Sequence, residues 1–314
     1  MDSLRPQDVR PDPIITEWAV KYGVGRGFIA DEVAPVVPVA QKLFKFFTYK
    51  ADELNDEVQT RTAPGDDPSE VRFQKGTTTT IAAERNVLDA TISNEMALTL
   101  MNPLLGEQRR TEKLVHKLRL GVEKRVHNIF HAATKTTAAG TAWDDPAATA
   151  LGVRKNIDDA AEALAVRTGG DAINILINVA EARVLARIVS AAVLYADASM
   201  FVGGLFPQGL WGYRWHIAGA LGNTGAAKAD FSQTVARVWS DKEAYLFLTD
   251  PNPTLESQGF AFQGNWAEWG QPYAGYSWPD PKVSKKVRWI SAENYQIEYL
   301  VCDDMAQRIT GVLT

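Results

Sequence analysis

The sequence predicts an α+β protein, and three observations predict it. Phe44, Phe46, Thr48 and Lys50 alternate with Lys45, Phe47, Tyr49 and Ala51, the period-two signal of an aromatic strand. Leu114, Val115, Leu118, Val122, Val126, Ile129, Phe130 and Ala133 recur at spacings of three and four, the mark of an amphipathic helix. Residues 146–250 then alternate helical and strand patterns, the layout of a compact α/β unit. The 314 residues are 46% hydrophobic and 23% charged, which allows a sizeable core and excludes disordered, collagen-like and disulfide-rich classes.

Taken in order, residues 1–43 read as an extended arm, because Pro6, Pro11, Pro13, Pro35 and Pro38 break any long helix. A short helix fits Ile14 to Tyr22. Gly23-Val24-Gly25-Arg26-Gly27 matches neither phosphate-loop spacing and reads as a joint. Residues 44–92 read as a long hairpin whose tip, Leu54 to Glu70, is charged and contains Ala63-Pro64-Gly65-Asp66-Asp67-Pro68. A return strand runs through Val71, Phe73 and Thr77 to Ala82. So long a two-stranded hairpin needs a surface to lie on, and a second chain can supply it. The long helix spans Leu104 to Thr134 after Asn102-Pro103. Its other face, with Arg109, Arg110, Lys113, Lys117, Arg119, Lys124 and Arg125 against Glu107, Glu112 and Glu123, is expected to be solvated; contact with nucleic acid or an acidic partner is the sharper alternative.

A second helix is expected over Pro146 to Arg167, capped by Asp144 or Asp145 and ended by Gly169-Gly170. Ile173 to Ile177 is a short buried strand, and Val179 to Tyr195 a third helix. Strands follow at Tyr213 to Ile217, Val235 to Trp239 and Glu243 to Leu248. Residues 251–280 read as loop, with Trp266, Trp269, Tyr273, Tyr276 and Trp278 forming either core or a contact patch. Lys282 to Ile290 and Tyr295 to Asp303 read as strands paired with each other. Ile188 to Phe206, interrupted by Asp197, reads as a buried helix and a glycine turn rather than a membrane span. The polar N-terminus does not read as a signal peptide.

The chain is poor in the side chains of chemistry and rich in those of contact, with four His against nine Trp. Cys302 is the only cysteine, which forbids an intrachain disulfide or a cysteine metal cluster and fits a reducing compartment. His127 and His131 stand four apart on the long helix but lack a third ligand, so they read as ordinary helix histidines. The pairs Asp66-Asp67, Asp144-Asp145, Asp158-Asp159 and Asp303-Asp304 read as turn, cap, helix surface and strand end. Cys302 reads as inert core. Ser257-Gln258-Gly259 lacks the glycine of a nucleophile elbow. No catalytic, cofactor-binding or metal-binding constellation emerges. The net charge of −5 argues against gripping nucleic acid by bulk charge, and the absence of Lys or Arg between Thr249 and Asp280 argues against single-strand binding by the aromatics there.

The order of parts, a proline-broken arm, a polar-tipped hairpin, a long amphipathic helix, an α/β unit and terminal strands, resembles the major capsid protein of tailed bacteriophages, whose fold is named after phage Hong Kong 97. Phe28 to Val39 with Phe44-Lys45-Phe46-Phe47-Thr48-Tyr49 is similar to the opening segment of that family. Pro64 to Phe73 is similar to its hairpin return and Trp143-Asp144-Asp145-Pro146 to the opening of its second domain. Phe206 to Gly212 and Val238-Trp239 fit its later strands. The resemblance implies an N-terminal arm (1–43), an extended hairpin loop across a neighbouring subunit (44–92), a peripheral domain with the spine helix (93–145), an axial domain (146–280) and peripheral strands (281–314). It implies a non-enzymatic subunit, without cofactor, that forms pentamers and hexamers of an icosahedral shell around double-stranded DNA. It implies a virion location after assembly in the host cytoplasm, no membrane, and a separate scaffold, a portal and a decoration protein as partners. Subunit contacts are expected at Phe46, Tyr49, Asp66, Asp67, Phe73, Trp266 and Trp269. Lys75 and Asn294 lie in regions where some members cross-link, though nothing around them supports that chemistry here. An encapsulin-type shell, and an enzyme with an unrecognised site, stand as alternatives.

Overall fold

A computed structural model describes residues 11–22, 28–48, 77–93, 103–170, 172–192, 210–223, 235–267, 271–279 and 287–314. The first helix, α1 (Pro13–Tyr22), starts where the Asp12 carboxylate accepts from the Ile14 amide at 2.9 Å, with Pro13 in the position that needs no donor. Ile15 and Ala19 are buried, so this part of the arm is docked on its own chain rather than free. A single turn, α2 (Ala30–Val33), leads to β1 (Val36–Val39), which keeps Pro38 exposed on a sheet edge where its missing N–H costs no ladder bond.

The hairpin forms from β2 (Leu43–Thr48) and β3 (Thr77–Ala82), in register from Leu43↔Ala82 to Thr48↔Thr77. Its return arm does not stay in the hairpin. After buried Ala83, β4 (Glu84–Ser93) leaves to join the main sheet. The long helix is α3 (Pro103–His131), 29 residues or roughly 43 Å at 1.5 Å per residue. It buries the expected stripe, from Leu114 and Val115 through Val126 to Phe130.

After β5 (Thr136–Ala138) comes α4 (Ala150–Thr168). It begins four residues later than Pro146 suggests. Its cap is Thr149, whose hydroxyl accepts from the Gly152 amide at 3.1 Å, while Asp145 closes a turn onto Ala147 and Asp144 binds the Thr314 amide at 3.1 Å. The end is as expected: Gly169 takes a left-handed φ of 65°. Strand β6 (Asn174–Asn178) is buried throughout, and α5 (Val179–Ala192) follows at once. Asn178 caps it reciprocally with Glu181: the Ala180 amide donates to Asn178 Oδ1 at 3.0 Å and the Asn178 amide to Glu181 Oε2 at 2.7 Å. The remaining strands are β7 (Arg214–Ala218), β8 (Leu221–Asn223), β9 (Val235–Arg237), β10 (Glu243–Phe247), β11 (Ala261–Trp266), β12 (Ala274–Pro279), β13 (Val287–Leu300) and β14 (Ala306–Thr310).

Two five-stranded sheets carry the fold. The first runs β1-β11-β13-β12, with β4 along the other side of β13; the second runs β5-β14-β10-β6-β7. Of the two stretches read as mutually paired terminal strands, Val287 to Ile290 and Tyr295 to Leu300 belong to one 14-residue strand, β13, while residues 282–286 lie outside the described residues. Its polar centre, Ser291 to Tyr295, imitates a break. Ser291, Glu293 and Asn294 are nonetheless buried, and Glu293 takes the Arg85 Nε hydrogen bond at 2.8 Å and that of the Tyr276 hydroxyl. The division at 280/281 also differs from the hydrogen bonding. Strands β11 and β12, in the segment read as loop, belong to the sheet of β4 and β13, and β14 belongs to the sheet of β6 and β10. A strand's own pattern specifies its buried face but not its partner.

The largest core gathers around Phe130, whose ring lies 4.7 Å from Phe260, 5.2 Å from Phe247 and 5.6 Å from Trp239. A second core fills the space between α4, α5 and the second sheet. No helix among the described residues is long and apolar enough to cross a membrane.

The docking of α1 rests on Gly275 in β12. The Asp12 amide donates to its carbonyl at 2.8 Å, and a Cβ there would lie 2.5 Å from Ile15 Cγ2 and 2.9 Å from the Ile15 carbonyl carbon. Gly275→Ala should lower unfolding stability by about 1–3 kcal/mol, since backbone cannot yield as a side-chain tip can. It should also open α1 to proteolysis, both read by denaturant melts and timed digestion.

Candidate functional site

The described residues offer no catalytic centre, and among them no group of three or more His, Cys, Asp or Glu is placed to hold a metal. What the chain builds instead is a junction. Glu123 lies on the α3 face that carries Val126 and Phe130, and it is fully buried. Its carboxylate accepts from the Ile29 amide at 3.2 Å, the Ala30 amide at 3.0 Å and Trp239 Nε1 at 2.5 Å. One side chain thus ties the arm, the long helix and the loop leading into β10. Burial pushes the Glu123 carboxyl above the usual carboxylate range, against the pull of its donors.

Neighbouring contacts extend the junction. Asn178 Nδ2 donates to the Trp239 carbonyl at 2.7 Å, and Arg237 donates to Asn178 Oδ1 at 2.7 Å, so the cap of α5 also holds β9. Gln263 Nε2 donates to the carbonyls of Ala30 at 2.9 Å and Ala34 at 2.6 Å, fixing the arm to the first sheet. Arg119 pairs with Asp31 at 2.5 Å, and Arg125 grips Glu298 through two nitrogens at 2.6 and 3.0 Å. The face expected to be solvated is therefore solvated only in part: Glu123, Arg119 and Arg125 are structural, while Arg109, Lys113, Lys117 and Lys124 stay exposed.

At the far end of α3, His131 Nδ1 lies 2.8 Å from Glu243 Oε2, and the Tyr245 hydroxyl donates to the same oxygen at 2.6 Å. Burial opposes ionisation of Glu243, but these hydrogen bonds and nearby Arg308 outweigh it and hold the carboxyl below its ordinary value. His127 packs edge-on against Trp239 at 5.2 Å, and burial, then His131, lower its pKa. Cys302 is buried, which raises its thiol pKa and keeps it a poor nucleophile.

Of the expected contact residues, Tyr49, Asp66, Asp67, Phe73 and Trp269 lie outside the described residues, as does Lys75. Phe46 is buried within its own chain, its ring 4.3 Å from Tyr299. Trp266 is half-buried, 5.0 Å from Tyr295. Tyr276 and Trp278 are core rather than patch, with Trp278 stacked on Trp289. Asn294 is buried and donates to Gln296 at 2.9 Å, so it is not presented to a neighbour.

No family model matches the chain. Over 172 residues it is 33% identical to the major capsid protein of Pseudomonas phage JBD67, a match covering 50% of this chain and 51% of that protein. The aligned part is therefore about half the length of that relative. Solved structures match almost throughout. A phage-related protein from Bordetella bronchiseptica RB50 aligns at 16% identity and a TM-score of 0.68, covering 97% of this chain and 98% of its own. The capsid of cyanophage P-SCSP1u aligns at 11% identity and 0.57, covering 88% and 85%. The chain has the phage-capsid fold. A virus-like particle from Pyrococcus furiosus shares it at 10% identity and 0.55, covering 94% and 97%.

Within this capsid fold the junction residues were missed by the sequence reading. The signal was available: Arg119, Glu123, Val126 and Phe130 share helical spacing, which puts a carboxylate on the apolar stripe. All three partners of Glu123 are donors. Glu123→Leu should strand them and cost several kcal/mol, and Glu123→Gln, which turns an amide toward donors, about 1–3 kcal/mol. A folded pKa above the unfolded one means the native state binds the extra proton. The stability from protonation is therefore full at low pH and lost as pH rises from the ordinary carboxylate value through the folded one. Glu123→Gln should flatten that segment of a stability-versus-pH curve measured by denaturant titration.

Proposed function

We propose that this chain is the major capsid protein of a tailed phage, assembling into the icosahedral shell that encloses its double-stranded DNA. The observation that carries the reading is the 33% identity to a phage major capsid protein over half of a chain that aligns with a phage capsid structure over 88% of its length. The Pyrococcus particle leaves the encapsulin-type shell as the second reading, since the fold alone serves both, and the phage relative favours the first. The work is mechanical rather than enzymatic: weak contacts, repeated around rings, close a shell. In this reading the half around the first sheet and α3 is peripheral, and the half around the second sheet, α4 and α5 is axial. Tyr49, Asp66, Asp67, Phe73, Trp266 and Trp269 contact neighbouring subunits. Phe46 supports the hairpin base from within. Scaffold, portal and decoration proteins are its partners, and assembly takes place in the host cytoplasm.

The purified chain, with a scaffold protein if required, should form large closed particles under electron microscopy. Persistent monomer or dimer under all such conditions, with turnover of a small substrate, would sink the reading. Deleting Asp56 to Ser69 should leave the melting transition in place and block or weaken particle formation; loss of the fold would make that segment core.

A further inference from the structure

The long helix carries a charge feature that the junction does not use. Arg109, Lys113, Lys117 and Lys124 are exposed and have no carboxylate partner among the described residues. At 3.6 residues per turn they fall, with His116 and His131, within about a third of the helix circumference. The row from Arg109 to Lys124 is about 22 Å long. The carboxylates of α3 are spent elsewhere: Glu107 pairs with Arg288 at 2.9 Å, Glu112 accepts from Gln108 at 3.0 Å, and Glu123 is buried in the junction. Where the row borders β4, a groove of about 410 Å³ sets Arg110, Lys113 and Lys117 around Asp89.

A solvated helix face ordinarily interleaves the two signs of charge. Here Arg109 and Lys113, then Lys113 and Lys117, stand four residues apart, where like charges weaken a helix. A bound polyanion would relieve that repulsion. Duplex DNA carries one phosphate charge per about 1.7 Å of its axis, so a row of this length meets an anion at every cation whatever the register. An extended acidic polypeptide, at about 3.3 Å per residue, would need carboxylates spaced to match. Between Arg109 and Lys124 there is no Trp, Tyr or Phe on which an unpaired base could stack, and no Asn or Gln to read adenine. We propose that the Arg109, Lys113, Lys117 and Lys124 stripe of α3 binds the phosphate backbone of double-stranded DNA without reading its sequence, which puts this face of the helix on the inner side of the shell. This rests on the shell reading and names the surface that meets the enclosed genome.

Fluorescence anisotropy of a short mixed-sequence duplex with the unassembled chain tests it. The unmodified chain should lose about a hundredfold in affinity between 50 and 200 mM salt, the dependence of four phosphate contacts, and should bind a duplex of unrelated sequence within about twofold. Arg109→Gln, Lys113→Gln, Lys117→Gln and Lys124→Gln together should weaken binding about tenfold or more at low salt and remove most of the salt dependence. The melting transition and the particle yield of that variant should stay unchanged, and Lys155→Gln, at an exposed position on α4, should leave DNA binding as it was. Equal salt dependence with and without the four cations would place DNA elsewhere and overturn the proposal. So would poly-glutamate binding the stripe more tightly than duplex DNA, which would make it a polypeptide surface, and so would loss of particles with DNA affinity kept, which would make it a subunit contact. Particles from the unmodified chain without stripe-dependent DNA binding would sink the proposal and leave the shell reading standing. Stripe-dependent DNA binding by a chain that forms no particles would remove the shell reading and keep the DNA contact.

Discussion

A single buried carboxylate, Glu123, sets how the pieces of this subunit meet. Three donors converge on it from segments far apart in sequence, Ile29 and Ala30 on one side and Trp239 on the other. Burying a charge is costly, and the cost is tolerable only because the donors replace water. With Glu123 held, α2 has a fixed place on α3 and Gln263 can close on its carbonyls. Trp239 is likewise fixed, and with it the contacts that Phe130 makes to Tyr245, Phe247 and Phe260. The two sheets share α3 as a common support, and their relative placement depends on this end of it.

Much of the fold was legible because its signals are local. The α3 stripe, the glycine stop after α4 and the apolar run of β6 depend on neighbours a few residues away. What was not legible depends on partners distant in sequence. The centre of β13 looks like a turn until Arg85 and Tyr276 are brought to Glu293. Pro146 looks like a helix start until Asp144 is claimed by Thr314 and Thr149 proves the better cap. Strands β11 and β12 were hidden by the Gly and Pro around them, which mark close approaches: a Cβ on Gly264 would lie 2.3 Å from the Phe44 ring.

The candidate site was the least legible part, for the same reason. Aromatic abundance was read as material for contacts between subunits, and much of it is spent inside. Trp143, Trp215 and Trp239 are buried, and Trp278 rests on Trp289. The charge on α3 was read as one solvated face, yet it divides by helical position. Arg119, Glu123 and Arg125 turn toward the arm and β13, whereas Arg109, Lys113 and Lys117 turn outward. A net charge of −5 conceals this division, because the carboxylates are concentrated elsewhere.

The described part of the hairpin joins a firm root to a ladder of only two strands. Its base is locked: Phe44 and Phe46 lie against Tyr299, and Gly264 lets Phe44 approach the first sheet. Among the described residues the ladder of β2 and β3 has no third strand, and a two-stranded ribbon is marginal by itself. The ribbon of β8 and β9 is built alike, held at one end by Arg237 on Asn178 and exposing Leu221 and Val235. Each element therefore has a firm root and an unfinished surface. Under the proposed shell reading, surfaces of this kind would adapt to non-equivalent neighbours at little energetic cost, because the junction at Glu123 keeps the adjustment away from the core.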